Sequence, residues 1–187
     1  MSKQKSTATK ADPLDLYARA SEWTVKKVDG AAKKLDARTP CDKWDVRTLM
    51  NHILDTQNYF LGSGRGEKVP MPSPDPPELI SDDPAADLAL TRKEMLSTYG
   101  QEGVIEKTGP SLGIAFSDQL IHGWDLAKAT GQDTTMPEGL PEAAYEMIHG
   151  RFTDEQRKGI FKPEVAVPPN ASAQEKLLAY TGRNPSV

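Results

Sequence analysis

The stretch SDQLIHGWDLAKATGQD, from Ser117 to Asp133, carries the pattern that decides the fold. Projected at about 100 degrees per residue, it gives a helix that is apolar on nearly every side, as helices buried among other helices are. The exception is a narrow stripe of Asp118, His122 and Asp125, spaced i, i+4 and i+7. This stripe must face protein or a cavity, where an ionisable side chain needs a partner because leaving it unpaired is costly.

A divalent metal ion is a suitable partner, since a carboxylate and an imidazole one helical turn apart can bind the same ion. Asp118 and His122 form such a pair, and a third ligand has to come from elsewhere in the chain. His52 and His149 compete for that place. Two histidines and a carboxylate with open coordination positions are typical of catalytic zinc and of several iron or nickel sites. The alternative is an ordinary hydrogen-bonded helix pair beside a lone, half-buried His52.

Working outward from this helix, the sequence predicts an all-α bundle, because capping residues and prolines precede runs with helical apolar spacing. A short helix is predicted from Pro141, and a capping box at Ser172 predicts a last one. The segment from Gly62 to Asp82 is rich in Gly, Pro and Ser, so a long surface loop is expected after the second helix, where it could lie over the mouth of a site. The four long helices are predicted at Pro13 to about Leu35, Val46 to about Leu61, Pro84 to near Gly100, and about Leu112 to Thr130.

Length and composition favour a single domain. The chain has 187 residues with 37% hydrophobic content, which suffices for one sizeable core over residues 11–187, while the polar residues 1–10 are expected to be disordered. A net charge of -4 without a basic patch argues against nucleic-acid binding. Cys41 is the only cysteine, no secretory signal is recognisable, and no apolar run approaches the roughly 20 residues that cross a bilayer. We therefore expect a cytoplasmic protein with no membrane partner.

Two further charged residues are candidates for catalysis. Arg183 follows the last predicted helix and could bind a substrate carboxylate through a bidentate pair, or it is a solvated terminal arginine. Asp125 could accept a hydrogen bond from the ring of a ligand histidine, act as a general base for a thiol, or pair with Lys128 or Arg47.

Other conspicuous residues are assigned structural roles. Cys41 is expected to be a small buried hydrophobe, because a nucleophile would need a nearby base. Trp44 and Trp124 are expected to serve packing, as aromatic residues at helical spacing usually do. His149 is expected at a helix end, where the dipole favours it.

Three segments resemble one known family. They are TPCDKWDVRTLMNHIL (Thr39 to Leu54), DQLIHGWDLAKATGQD (Asp118 to Asp133) and KLLAYTGRNP (Lys176 to Pro185), and they occur in order over nearly the whole chain. They are similar to the actinobacterial metal-binding family related to mycothiol-dependent maleylpyruvate isomerases, within the DinB-like superfamily. The resemblance implies a DinB-like four-helix bundle with zinc or nickel at one end of its core.

The resemblance also implies the ligands and the reaction. The superfamily uses one histidine of the second helix and a pair four residues apart on a later helix, which on this sequence are His52, Asp118 and His122. Relatives with isomerase activity tend to carry Glu at the first position of the pair, whereas Asp118 is one methylene shorter.

The implied activity is that of a metal-dependent transferase or isomerase, with mycothiol as co-substrate. The metal would activate this low-molecular-weight thiol so that its thiolate attacks a small electrophile. A non-catalytic or regulatory metal-binding module and a metal-dependent hydrolase are the alternatives, because a fold does not fix a function. An exposed face of the bundle could also support a homodimer.

Overall fold

A computed structural model describes residues 11–185, which form helices joined by turns and loops, with no strand in that range. The predicted all-α class is therefore confirmed for the described part of the chain, while the segment 1–10, expected to be disordered, lies outside it. No helix in the described part is both long enough and apolar enough to cross a membrane. The helices are α1 (Pro13–Ala31), α2 (Val46–Arg65), α3 (Pro84–Tyr99), α4 (Val104–Thr108), α5 (Ser111–Thr130), α6 (Leu140–Ile148), α7 (Asp154–Ile160) and α8 (Ala173–Tyr180).

The starts of three long helices follow from aspartate caps. Asp12, Asp45 and Asp83 each accept a hydrogen bond from a backbone N–H in the first turn of α1, α2 and α3. Such a cap satisfies a donor that has no partner within the helix, and its loss typically costs about 1 kcal/mol. Helix α5 ends at Gly131, which has a φ of 74° and so adopts the left-handed conformation that glycine tolerates best.

The four long helices pack around a shared core. Helices α1 and α2 each contact both α3 and α5, and α5 also contacts α6, which packs against α8. Most residues of α5 are buried, as its apolar pattern predicts. Because α2 lies directly against α5, polar residues on their facing sides come together inside the bundle.

Helices α1 and α5 approach closely at Gly123. A Cβ atom added there would lie 2.6 Å from the Trp23 ring and 2.7 Å from the Thr24 hydroxyl, so only glycine fits. The Thr24 hydroxyl also donates a hydrogen bond of 2.8 Å to the carbonyl of Gln119. This contact fixes one side of α5 and leaves its polar stripe facing α2.

The second helix extends further than composition predicts. Gly62 and Gly64 were expected in the loop, but both are helical. A Cβ at Gly62 would lie 2.7 Å from the side chain of Val69, and one at Gly64 would lie 2.9 Å from the ring of Tyr99. These glycines therefore allow close packing, and the helix stops at Gly66, which has a φ of 75°.

Other boundaries also differ from the prediction. Helix α1 ends at Ala31 and not near Leu35, whose carbonyl accepts a hydrogen bond of 2.9 Å from the N–H of Arg47 at the start of α2. The short helices α4 and α7 were not predicted. Helix α7 carries a capping box, formed by Thr153 and Gln156, that the sequence already contains.

The long loop after α2 is a fixed element. We call residues 66–83 the proline-rich strap. The Asn51 side chain accepts a hydrogen bond of 2.7 Å from the N–H of Leu79, and the Asp55 carboxylate accepts one of 2.9 Å from the N–H of Ser73. Because both side chains belong to α2, the strap runs along this helix beside the histidine that lies between them.

Candidate metal centre

The three residues proposed as metal ligands lie together where α2 faces α5. His122 Nε2 is 3.4 Å from Asp118 Oδ1, and His52 Nε2 is 3.9 Å from the same oxygen. The two imidazole rings meet edge to face, with centroids 4.9 Å apart. One donor atom from each residue lies within 4.8 Å of the other two.

The donor set suits a divalent transition metal. An ion that holds nitrogen and oxygen at about 2.0 to 2.2 Å in tetrahedral geometry keeps its ligand atoms about 3.3 to 3.6 Å apart. The observed separations of 3.4 and 3.9 Å need only small shifts to reach that range. The side chains of His52, Asp118 and His122 are 14%, 19% and 11% exposed, so the cluster is mostly buried and keeps limited contact with solvent.

One carboxylate oxygen of Asp118 faces the two histidines, and the other accepts a hydrogen bond. The Thr56 hydroxyl donates a hydrogen bond of 2.8 Å to Asp118 Oδ2. Burial works to raise the pKa of Asp118, but His122, His52 and the Thr56 hydroxyl outweigh it and hold that pKa below its usual value. The carboxylate is therefore ionised at neutral pH, as a metal ligand must be.

His122 is held by a second carboxylate. Its Nδ1 is 2.9 Å from Oδ2 of Asp125, which is fully buried, so Nδ1 carries a hydrogen and Nε2 faces Asp118. Burial works to lower the pKa of His122, but Asp118 and Asp125 raise it well above its usual value. The two carboxylates therefore favour the protonated form of His122 in the metal-free protein, and a metal that binds Nε2 must displace a proton.

Asp125 is in turn paired with Arg183. The guanidinium donates two hydrogen bonds, from Nε to Oδ1 at 2.9 Å and from Nη2 to Oδ2 at 2.6 Å. Burial opposes ionisation of Asp125, yet Arg183 and His122 hold its pKa far below its usual value. Asp125 therefore pairs with Arg183 and His122, and not with Lys128 or Arg47. A role of Arg183 towards a substrate carboxylate stays a prediction.

Cys41 belongs to the same network. Its half-buried thiol lies 3.4 Å from Asp125 Oδ2, to which it donates, and Arg183 Nη2 donates to Sγ at 3.6 Å. Cys41 was expected to be a small buried hydrophobe, and that expectation missed its polar contacts with Asp125 and Arg183. Donor atoms of Cys41, His122 and Asp125 also lie within 4.8 Å of one another. Because the Arg183 guanidinium already supplies the positive charge there, we interpret this second group as support for His122.

His52 is supported in a different way. The indole of Trp44 covers its ring, with centroids 4.3 Å apart and planes tilted by 35°. His52 Nδ1 is buried and has no hydrogen-bond partner among the described residues. Burial and the neighbouring His122 lower the pKa of His52 to about 4, so this imidazole is neutral at pH 7.

His149, the competing histidine, lies elsewhere. It is the C-terminal capping residue of α6, and its ring stacks on that of Tyr145 with centroids 4.7 Å apart. The helix-end position matches the expectation for this residue. Among the described residues, the imidazole that joins the Asp118 and His122 pair is that of His52.

Three residues of the site were missed from the sequence alone. Thr56 lies one turn after His52, and helical spacing places it beside that residue but does not indicate its hydrogen bond to Asp118. Trp44 was assigned to packing, and nothing in its spacing indicated a ring contact with a ligand. The contact between Cys41 and Arg183 joins residues 142 positions apart, for which no local pattern exists.

Comparison with known proteins gives two relatives of unassigned function. No family model and no solved structure matches the chain. Uncharacterized protein MT0763 of Mycobacterium tuberculosis (strain CDC 1551 / Oshkosh) and Uncharacterized protein Rv0738 of strain ATCC 25618 / H37Rv are each 27% identical to it over 184 residues. The similarity covers 92% of this chain and 98% of each relative. The chain is therefore similar to these mycobacterial proteins along nearly its whole length.

Proposed function

We propose that this protein binds a divalent metal ion at His52, Asp118 and His122 and uses it to activate a low-molecular-weight thiol. The observation that carries the proposal is the convergence of two imidazoles and one carboxylate, with donor atoms within 4.8 Å, at a partly open position between α2 and α5. Two nitrogen ligands and one oxygen ligand favour zinc, with nickel as the second choice.

The protonation of two of the three ligands supports this assignment. His52 is neutral at pH 7 and offers a lone pair without loss of a proton, while Asp118 supplies the negative charge. A bound ion would acidify a thiol that coordinates it, so that thiolate forms near neutral pH.

The state of Asp125 favours activation by a metal over activation by a general base. Both oxygens of Asp125 accept hydrogen bonds from Arg183, and Oδ2 also meets His122 and Cys41. The carboxylate is fully buried, and its pKa is far below its usual value, so it is a poor proton acceptor for a thiol. Its contacts are those of a residue that orients His122.

We further propose a transferase or isomerase that acts on a small electrophile with mycothiol as co-substrate. This part of the proposal rests on the resemblance of the three segments around the ligands and the C-terminal arginine to the mycothiol-dependent family. The non-catalytic metal-binding module and the metal-dependent hydrolase are its rivals, and both would use the same ligands.

Metal content is the first test. Elemental analysis of purified protein should give about one zinc or nickel per chain, and His122→Ala should lose it because two ligands hold the ion poorly. His149→Ala is the matched control, since it removes an imidazole outside the cluster, and it should retain the metal. Absence of stoichiometric metal from the parent protein, or equal binding by His122→Ala, would refute the proposal.

Turnover separates the enzyme from its rivals. Metal-loaded protein should consume an electrophile such as monochlorobimane only when mycothiol is present, and His122→Ala should not. Metal binding without turnover would favour the non-catalytic module. Hydrolysis of ester substrates with no thiol present would favour the hydrolase.

A further inference from the structure

We infer that Trp44 is the positioning residue for His52 and that ring stacking holds this ligand in place of a hydrogen bond. The inference rests on the metal centre proposed above. It concerns a residue for which helical spacing indicated only packing, and it explains how a ligand without a second hydrogen-bond partner keeps its orientation.

The two histidines of the centre differ in their support. A metal-ligating histidine normally donates its other ring N–H to a carboxylate, a carbonyl or water, which fixes both tautomer and ring orientation. His122 follows this rule through Asp125, at 2.9 Å. His52 does not, because its Nδ1 is buried with no partner among the described residues. Something else must fix the angle of the His52 ring.

The indole of Trp44 is placed to do so. Its ring lies 4.3 Å from the His52 ring, centroid to centroid, with a tilt of 35°, and 6.2 Å from the ring of His122. The rings of His52 and His122 meet edge to face at 84°, so the His52 ring contacts two aromatic rings. Tilting the imidazole out of its present plane would reduce its contact with the indole.

Trp44 is itself anchored at both side chain and backbone. Its Nε1 donates a hydrogen bond of 3.1 Å to the Pro74 carbonyl in the proline-rich strap. Its backbone N–H donates to the Cys41 carbonyl at 2.9 Å, and its own carbonyl accepts from the Thr39 hydroxyl at 2.6 Å. The residue directly precedes Asp45, the cap of α2. The indole therefore occupies a fixed place relative to the helix that carries His52.

Zinc affinity of two Trp44 variants tests the inference. Loss of an outer residue that orients a metal ligand typically lowers affinity 10- to 100-fold, so Trp44→Leu should bind zinc roughly 10- to 100-fold more weakly than the parent protein in a chelator competition. Trp44→Phe keeps a flat ring against His52 and should recover most of that loss. Tyr145→Leu removes a ring that stacks on His149, outside the metal centre, and its affinity should match that of the parent.

A spectroscopic readout separates positioning from a general structural effect. In metal-free protein, NMR resonances of the His52 ring should carry the ring-current shift of the indole and lose it in Trp44→Leu, while those of the His122 ring stay nearly unchanged. Zinc affinity of Trp44→Leu equal to that of the parent would overturn the inference alone. Equal losses in Trp44→Leu and Trp44→Phe would overturn it too, because packing and not the flat ring would then matter. A parent protein that binds no zinc would overturn the proposed metal centre together with this inference.

Discussion

At the scale of single residues, the two carboxylate oxygens of Asp118 have different partners. Oδ1 faces both imidazoles, and Oδ2 accepts the hydrogen bond from Thr56. The Thr56 hydroxyl therefore sets which oxygen is offered to a metal.

Removal of the Thr56 hydroxyl should weaken metal binding without removing a ligand. Thr56→Val leaves Asp118 Oδ2 without its donor, so we expect zinc affinity to fall by roughly 10-fold, the lower end of the usual effect of such partners. Thr56→Ser keeps the hydroxyl and should bind as the parent does. Isothermal titration with zinc measures both, and unchanged affinity in Thr56→Val would show that the hydroxyl has no part in orienting the carboxylate.

The low pKa of His52 predicts a loss of stability in mild acid. The unfolded chain takes up a proton on this residue near its ordinary pKa of about 6.5, whereas the folded protein resists until about pH 4. The unfolded state thus binds more protons between these values, and the free energy of unfolding should fall as the pH falls from about 6.5 to 4. The difference between the two pKa values of His52 corresponds to a loss of about 3 kcal/mol in the free energy of unfolding once the pH is below about 4.

Other ionisable groups of the site affect stability outside the pH range from about 6.5 to 4. The raised pKa of His122 gives stability that is present below about pH 6.5 and is lost as the pH rises through its folded value. The lowered pKa values of Asp118 and Asp125 matter only near and below pH 4. Urea unfolding in the presence of a chelator from pH 7 to 4.5 measures the slope, and His52→Gln should remove most of it. An equal slope in that variant would assign the effect to other groups.

At the scale of structural elements, the bidentate pair of Asp125 and Arg183 fastens the end of the chain after α8 to α5. Asp125 is 0% exposed and Arg183 10% exposed, so removal of one partner leaves a charge in a buried place. Arg183→Met should destabilise the fold by roughly 3 to 5 kcal/mol. Asp125→Asn combined with Arg183→Met removes both charges and should recover much of that loss. Thermal or urea unfolding of the single and double variants measures the coupling, and additive losses would argue against it.

The close contact of α1 with α5 gives a separate prediction for packing. Gly123→Ala places a Cβ within 2.7 Å of Trp23 and Thr24, and overpacking of this kind costs roughly 1 to 3 kcal/mol. Gly159→Ala in α7 meets nothing within 4 Å and should be neutral or slightly stabilising, since alanine favours a helix. The free energy of unfolding of the two variants should therefore change in opposite directions or differ by more than 1 kcal/mol.

At the scale of the whole molecule, local features of the sequence predicted the helices well, but they did not predict most contacts between the helices. The spacing of Asp118 and His122 placed both on one buried face, and aspartate caps marked the starts of three helices. The partnership with His52 came from a resemblance, because the packing of α2 on α5 depends on side chains spread over both helices. No pattern linked Asp125 to Arg183, which lies 58 positions later. The glycines in α2 were misassigned because their role is close packing and not a turn.

Since the ligands come from two helices far apart in sequence, metal binding and folding of the whole domain should be linked. The unfolded chain does not hold His52 near Asp118, so zinc binds the folded state preferentially. At a free concentration of 100 times the dissociation constant, it should stabilise the fold by about 2.7 kcal/mol. For a domain of this size, that corresponds to a rise in Tm of about 5 to 10 °C, reversible by a chelator.

Two carboxylate variants show whether this stabilisation comes from the centre between α2 and α5. Asp118→Asn keeps the shape of the side chain but removes the charge that Asp118 contributes, so the rise in Tm with zinc should largely vanish. Asp15→Asn changes an exposed carboxylate on α1 and should leave the rise intact. Scanning calorimetry with zinc, and again after chelation, measures both. A rise that persists in Asp118→Asn would place the zinc at a site that does not depend on the Asp118 carboxylate.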